Sequence, residues 1–461
     1  LTIERRCMMY KSSLLEKKYR EKLITAEQAA EMVHNNNRIH FGLGLGTVKD
    51  IDKALAKRAD ELWNVEIIST VGVRSTPFET YLATDDNRKV RFASAHFSAF
   101  DREMCKNGRC WYIPMMFNEL PFYWQDNDSG LDIAFFQVAP MDEHGNFNIG
   151  PQVADIWGVI KGAKKIIVEV NENMPIAHGH QTQLNLYGID YVVEGSNSPM
   201  DELKPKAPTK IDKYIAEYVV SQIESHSTLQ LGIGALPGCI GSMLAEESDI
   251  RNINAHTEMF VDAYVDLFEA GKLTGNKPID KGKAVYTFAG GTKRLYDFID
   301  DNPICCSAPV DYVNNIATVS QIDNFVSINS CIQVDLYGQV CSESAGVQQV
   351  SGTGGQLDFV LGAYASKGGK SFLCTPSTRT LKDGTVVSLI RPMLSEGSIV
   401  TTPRTATNYV VTEYGLANLK GKSTWERAEL LINIAHPDFR DELIKDAERM
   451  GIWKRTSKVT Y

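Results

Sequence analysis

Residues 229–246, LQLGIGALPGCIGSMLAE, read as a short apolar strand over 229–233, a glycine-rich turn over 232–238 and an amphipathic helix over 239–246. A strand that passes through glycines straight into a helix begins a βα unit, because tight turns and close backbone approach at such a junction favour residues without a Cβ. Residues 38–42 followed by a helical period over 48–62 repeat the pattern near the other end of the chain. Apolar runs alternating with amphipathic helices predict an α/β fold whose mainly parallel sheets are flanked by helices.

Landmarks recur about 190 residues apart. FGLGLG at Phe41 echoes LGIGAL at Leu231, IISTV at Ile67 echoes INAHTE at Ile253, and VAPMDEHGNFNIG around Asp142 echoes IQVDLYGQVCSESAG around Asp335. Self-similarity at a fixed spacing predicts two duplicated open α/β domains. Between Glu194 and Tyr214, EGSNSPMDELKPKAPTKIDKY trades the apolar period for prolines, lysines and small polar residues, as linkers do. The expected organisation is one domain over 1–203, a linker over 204–213 and a second domain over 214–461.

Composition bounds the partners. Of 461 residues 43% are hydrophobic and 23% charged, which is ordinary for a globular chain, and no window approaches the ~20 apolar residues of a membrane span. The net charge of -9 offers no broad basic field for nucleic acid or an acidic membrane. LTIERRCMMYKSSLLEKKYREK, the first 22 residues, is basic but lacks the apolar core of a secretory leader, so a cytoplasmic protein is expected. Nine cysteines (7, 105, 110, 239, 305, 306, 331, 341 and 374) show no C-x-x-C spacing, which favours reduced, buried thiols over disulfides or structural zinc.

Glu258, in INAHTEMF over 253–260, is a carboxylate at the end of an apolar strand about two dozen residues after the glycine turn. It could hold a ribose, as in a nicotinamide dehydrogenase, or act as a nucleophile. The dinucleotide fingerprint G-x-G-x-x-G fits poorly, since the third glycine arrives one position late at Gly238 behind Pro237. A second cluster, GTGGQLD over 352–358, precedes a helical stretch over 359–365. Two turns rich in N–H groups can aim donors at one anionic ligand or developing oxyanion, and this favours the nucleophile. Within the repeat Glu258 falls against Val71, so the shared fold does not demand the acid. His178-Gly179-His180 lacks a third metal ligand, and vicinal Cys305 and Cys306 read as packing. His256 would share a strand face with Glu258.

GIGALP, HTEM, GTGGQLDFVLGA, the tail VVTEYGLANLKGKSTWERAELLINIAHPDFRDEL, and in the first half YREKLITAEQAAEMV and FFQVAPMDEHGNFNIGP resemble the acetyl-CoA hydrolase/transferase family over nearly the whole chain. FVLGAYASKGGKSF resembles its butyryl-CoA:acetate and 4-hydroxybutyrate CoA-transferase branch. The resemblance implies a CoA-transferase-type fold and ping-pong transfer between a short-chain acyl-CoA and acetate. Glu258 would attack the thioester, and a glutamyl-CoA thioester would carry the CoA. It further implies CoA contacts at Gly232, Ile233, Gly234, Ala235, Leu236, Ile332, Gly355 and Lys382. The gap between domains would hold the acyl chain, with the 42–46 turn as a wall. CoA would be a substrate, with no metal or other cofactor, acetate and short-chain carboxylates as partners, and a homodimer or homotetramer as the assembly. In TTPRTATN, Arg404 fits a family motif whose usual acidic partner is replaced by Asn408. A hydrolase would share every motif, differing in whether water reaches the glutamyl intermediate. A non-catalytic ligand sensor would need an output element, and none is visible.

Overall fold

The structure, a computed structural model, describes residues 13–126, 129–204, 206–232 and 234–455. The chain forms two compact units. One comprises Leu1–Lys204 with Thr257–Asp262 and Lys283–Asn315; the other comprises Pro205–His256, Ala263–Gly282 and Ile316–Tyr461. The break after Lys204 falls at the proline- and lysine-rich stretch. The units are not the contiguous halves expected from the sequence, however, because two later segments pack with the first. Met259, Phe288 and Val310 are buried in one apolar cluster with Val71, Phe117 and Trp124, and that shared burial holds the segments there.

The first unit is built on a parallel sheet of β1 (Leu23–Ile24), β2 (Arg38–Leu43), β3 (Val65–Thr70), β4 (Val90–Ser94), β5 (Cys110–Tyr112), β6 (Ile133–Val138), β7 (Lys165–Val170) and β8 (Tyr191–Glu194). Successive residues feed opposite faces: Ile133 and Phe135 enter one core, Ala134, Phe136 and Val138 the other. Burial on both faces is why these strands read as unbroken apolar runs.

Later strands are β9 (Thr228–Leu231), β10 (Asn254–Phe260), β11 (Ala284–Ala289), β12 (Cys305–Ser307), β13 (Phe325–Ser330), β14 (Lys370–Cys374), β15 (Tyr409–Thr412) and β16 (Gly415–Asn418). Strand neighbours run β5-β4-β3-β2-β6-β7-β8-β1 early in the chain and β12-β11-β10-β9-β13-β14-β15-β16 later. This is one plan used twice, as the sequence echoes predicted. Register refines the match. Ile39 pairs with Ile67 and Ile133, and Leu229 with Ala255 and Val326. Ile39 thus corresponds to Leu229 and Ile67 to Ala255. Three residues on, Thr70 rather than Val71 stands where the second copy has Glu258. Val71 follows with a left-handed φ of 49°, uncommon for a β-branched residue, and its carbonyl accepts the Gly44 N–H.

In both copies the chain leaves a central strand, β2 or β9, adds three strands on one side, then crosses to the other. Open α/β sheets bind ligands at the carboxyl ends of strands flanking such a switch. In the second unit that point lies between β9 and β13.

Candidate active site

Gly232 follows β9 directly, and its N–H donates to the Ile328 carbonyl at 3.0 Å. The helix that the sequence assigned to 239–246 begins earlier, spanning Ala235–Ser242. Pro237 fits inside its first turn, where an N–H would have no intrahelical partner anyway. Gly234 is the N-cap, at φ 122° and ψ -169°, a conformation that favours glycine, and no side chain caps the helix. Gly234 is exposed, Gly232 and Ala235 are half-buried and Leu236 is buried. Ile233 lies outside the described residues.

The helix Gln356–Ala365 is N-capped by Gly355, again without a side-chain cap. Its C-terminus precedes β14 by four residues, and β14 runs parallel to β13, so its N-terminus points to the carboxyl edge of that sheet. The helix after β9 has the same sense, being followed by a strand parallel to β9. Gly234 and Gly355 therefore stand on one edge of the second unit, each presenting backbone N–H groups at the positive end of a helix. Ile332 lies two residues beyond β13, half-buried, its N–H donating to Cys341 O at 2.8 Å. Lys382 is exposed in the turn between the strands Thr378–Thr380 and Val386–Ser388, which follow β14. All these positions come after the carboxyl ends of strands.

The early copy treats its glycine turn differently. Residues 42–47 are all buried, and the helix Asp50–Ala56 that follows has its N-terminal amides satisfied from within. The Glu169 carboxylate accepts the N–H groups of Lys49 at 2.9 Å, Asp50 at 3.0 Å and Ile51 at 2.9 Å, and the Gln137 amide at 2.9 Å. An internal anion thus occupies the helix end that the second copy leaves uncapped. The 42–46 turn, expected as a wall of the acyl cleft, is itself buried.

Glu258 is the fifth residue of β10 and the only one of its seven that is not fully buried. It belongs to the first unit. Asn314, buried at the end of the short helix Val310–Val313, donates its side-chain amide to Glu258 Oε2 at 2.7 Å. That helix is anchored at its start, where the Val310 N–H donates to Ala154 O at 3.0 Å. Asn314 escaped the sequence reading; nothing in DYVNN marks it, and 56 residues separate it from the acid.

The other tempting residues have the following surroundings. Gly179 lies between His178 and His180 in a bridge to Ser307, and His178 Nε2 sits 3.0 Å from Asp301 Oδ1. Among the described residues no group of three could hold a metal. His256 is fully buried with its ring edge-on to Phe325 at 6.1 Å. Cys305 and Cys306 lie in β12, and burial pushes the Cys305 thiol up to about 12. The eight described cysteines are free thiols. Arg404 covers the Tyr337 ring at 5.7 Å, while Asn408 accepts the Ser371 N–H at 3.2 Å and donates to Asn418. No helix among the described residues is long and apolar enough to cross a membrane.

A strand plan used twice, uncapped glycine turns on one sheet edge and an oriented carboxylate near the end of a strand define a duplicated open α/β protein with a ligand-ready sheet edge. Comparison with known proteins narrows the class. Residues 6–201 match the acetyl-CoA hydrolase/transferase N-terminal domain and residues 291–447 its C-terminal domain. The chain is 48% identical over 446 residues to a butyryl-CoA:acetate CoA-transferase of Anaerostipes caccae, covering 96% of this chain and 99% of the relative. It is 40% identical over 435 residues to a 4-hydroxybutyrate coenzyme A transferase of Clostridium kluyveri, covering 94% and 99%. RipA from Yersinia pestis has a crystal structure that superposes with a TM-score of 0.84 at 35% identity, covering 95% of this chain and 99% of that one. The chain belongs to the acetyl-CoA hydrolase/transferase family. It is an enzyme of the CoA-transferase type, which removes the dehydrogenase and sensor alternatives.

Proposed function

We propose that this enzyme exchanges CoA between a short-chain acyl-CoA, butyryl-CoA or 4-hydroxybutyryl-CoA, and acetate, with Glu258 as nucleophile. The observation that carries the reading is the Glu258 carboxylate, half-buried near the end of β10 and held through one oxygen by Asn314. A carboxylate whose rotamer is fixed by a charge-assisted hydrogen bond loses less freedom on reaching a thioester.

In the proposed sequence a Glu258 oxygen attacks the acyl carbonyl, the C–S bond breaks, and CoA thiolate leaves an acyl-glutamyl anhydride. The thiolate attacks the glutamyl carbonyl and displaces the first acid as its carboxylate, leaving a glutamyl-CoA thioester. Acetate then attacks that thioester, expelling the thiolate and forming an acetyl-glutamyl anhydride. Attack of the thiolate on the acetyl carbonyl yields acetyl-CoA and restores Glu258. Each step exchanges one acyl bond for another, with no net proton or electron transfer, so CoA serves as a substrate and the sequence calls for no further cofactor.

CoA is polyanionic and the chain is net acidic, so its binding needs local donors. The N-caps Gly234 and Gly355, with Gly232, Ala235 and Leu236 beside the first and Ile332 just after β13, are assigned to backbone contacts, as is Ile233 on resemblance alone. Lys382 is assigned to a phosphate. Contacts to the remote parts of CoA can be spent on the acyl centre.

The test is to incubate the protein with butyryl-CoA, trap with hydroxylamine or borohydride, and map the modified peptide by mass spectrometry. Modification at Glu258, lost in Glu258→Ala, is expected. Modification elsewhere, or full activity in Glu258→Ala, sinks the reading. CoA release at the transfer rate without acetate would make the enzyme a hydrolase.

A further inference from the structure

The second glycine turn poses a mechanical problem. In residues 352–355, GTGG, Thr353 is the only one with a side chain, and Gly354 is left-handed at φ 53°. Glycine-rich backbone is the most mobile kind, whereas hydrogen-bond donors that serve a reaction must already be aimed when the substrate arrives. Something outside the turn has to hold it.

Glu343 is placed to do so. It lies at the base of the ribbon formed by Ser344–Ala345 and Gln348–Gln349, and is only 3% exposed. Its main-chain carbonyl accepts the Val350 N–H at 2.7 Å and the Ser351 N–H at 3.1 Å, which closes the ribbon just before the glycines. Its two carboxylate oxygens are divided between two hydroxyls: Thr353 Oγ1 donates to Oε2 at 3.2 Å, and Thr401 Oγ1 donates to Oε1 at 3.0 Å. Thr401 in turn accepts the Ser342 N–H at 2.9 Å, and the next residue, Thr402, accepts the Gln356 side-chain amide at 2.9 Å. Gln356 is the first helical residue after Gly355. The turn is thus gripped from behind, and its one side-chain handle ends on a buried carboxylate.

We propose that Glu343 is a positioning residue for the reaction proposed above: through Thr353 it fixes the Gly354–Gly355 backbone so that its N–H groups are aimed before acyl-CoA arrives. Thr401 meets the other oxygen and supports the fold around it without touching the turn. The proposal rests on the assignment of Gly355 to the CoA site and adds the residues that make that turn rigid.

Four variants test it: Glu343→Ala, Glu343→Gln, Thr353→Val and Thr401→Val. Two measurements apply, the kcat and KM for butyryl-CoA with acetate, and amide hydrogen exchange across residues 350–356 in the free enzyme. Glu343→Ala and Thr353→Val are expected to lower kcat on the order of 10- to 100-fold, as misplaced catalytic groups do, with a smaller change in KM. Both should accelerate exchange in that segment, and the double variant should be no worse than the more damaged single one. Glu343→Gln keeps an acceptor and should stay within a few-fold of wild type, while Thr401→Val should lower the thermal midpoint and leave kcat in place. Wild-type kcat or unchanged exchange in Thr353→Val overturns the proposal, as does an equal kcat loss in Thr401→Val. Thr353→Val is nearly isosteric, so the test survives if Glu343→Ala does not fold. Glu258→Ala run alongside separates the two readings: full activity there removes the nucleophile, whereas unchanged exchange in Thr353→Val removes Glu343 whatever Glu258 does.

Discussion

Asn314 donates to Glu258 Oε2 at 2.7 Å from the end of a four-residue helix, and this hydrogen bond sets which way the carboxylate faces. A hydrogen bond to a charged group contributes roughly 1.5–3 kcal/mol. Asn314→Ala is therefore expected to lower kcat about 10- to 100-fold while the protein stays folded. Asn314→Asp puts a second carboxylate beside the first, which disfavours ionisation of the pair, so activity at acidic pH should fall further than at pH 8. A rate–pH profile of Asn314→Asp that overlays wild type would show that the two side chains do not act together.

Gly234 offers a cleaner test of the uncapped helix end. Beyond its chain neighbours, no described residue lies within 4 Å of where its Cβ would point, so Gly234→Ala introduces no clash there, only the strain of an L-residue at φ 122°. Such strain is on the order of 1–3 kcal/mol. If the turn relaxes to relieve it, the amides swing away from the ligand, and the KM for butyryl-CoA should rise about tenfold with a thermal midpoint lowered by only a few degrees. An unchanged KM would show that the amides at Gly234 do not meet CoA.

How much of this was legible beforehand depends on whether the signal is local. Parallel strands buried on both faces must read as apolar runs, so residues 38–42 and 229–233 announced the sheets and their repetition announced the duplication. FGLGLG and LGIGAL look alike yet end differently, because Glu169, some 120 residues from the turn it serves, caps one helix from inside. Asn314 was invisible for the same reason: its role exists only once folding brings residues 56 apart in sequence into contact. The helix starts before the expected residue 239, since a proline that would break a helix interior is harmless in a first turn. The contiguous-domain expectation missed Met259, Phe288 and Val310, whose apolar character says that they are buried but not with which partners.

Lys382 is exposed on a hairpin turn, so any contact with a CoA phosphate is screened by solvent and salt. Lys382→Ala should raise the KM for butyryl-CoA a few-fold at low ionic strength, and the difference should fade as salt approaches about 1 M, where the Debye length is about 3 Å. With butyryl-pantetheine, which lacks the nucleotide phosphates, the variant and wild type should be indistinguishable. An equal loss on both thioesters would assign the lysine to the acyl end or to folding.

Asp155 provides a pH test of the first unit's core. It is fully buried, its Oδ2 accepts the Trp124 indole N–H at 2.7 Å, and Oδ1 has no hydrogen-bond partner among the described residues. Burial raises its carboxyl from 3.8 to about 6, against the smaller opposing effect of the indole. Because the folded-state value lies above the unfolded one, the folded protein favours the protonated acid. That stabilisation is present below pH 4, is lost as pH rises from about 4 to about 6, and changes no further above that. The span is about two pK units, worth roughly 3 kcal/mol at 1.36 kcal/mol per unit. Asp155→Asn retains an acceptor for Trp124 and cannot ionise, so its stability relative to wild type should improve by roughly 3 kcal/mol between pH 4 and pH 7, whatever its offset at either pH. Denaturant unfolding of both proteins at the two pH values measures this difference directly. A relative stability that stays constant across that range would mean that Asp155 is already ionised and solvated at pH 4, in conflict with its burial beneath Trp124.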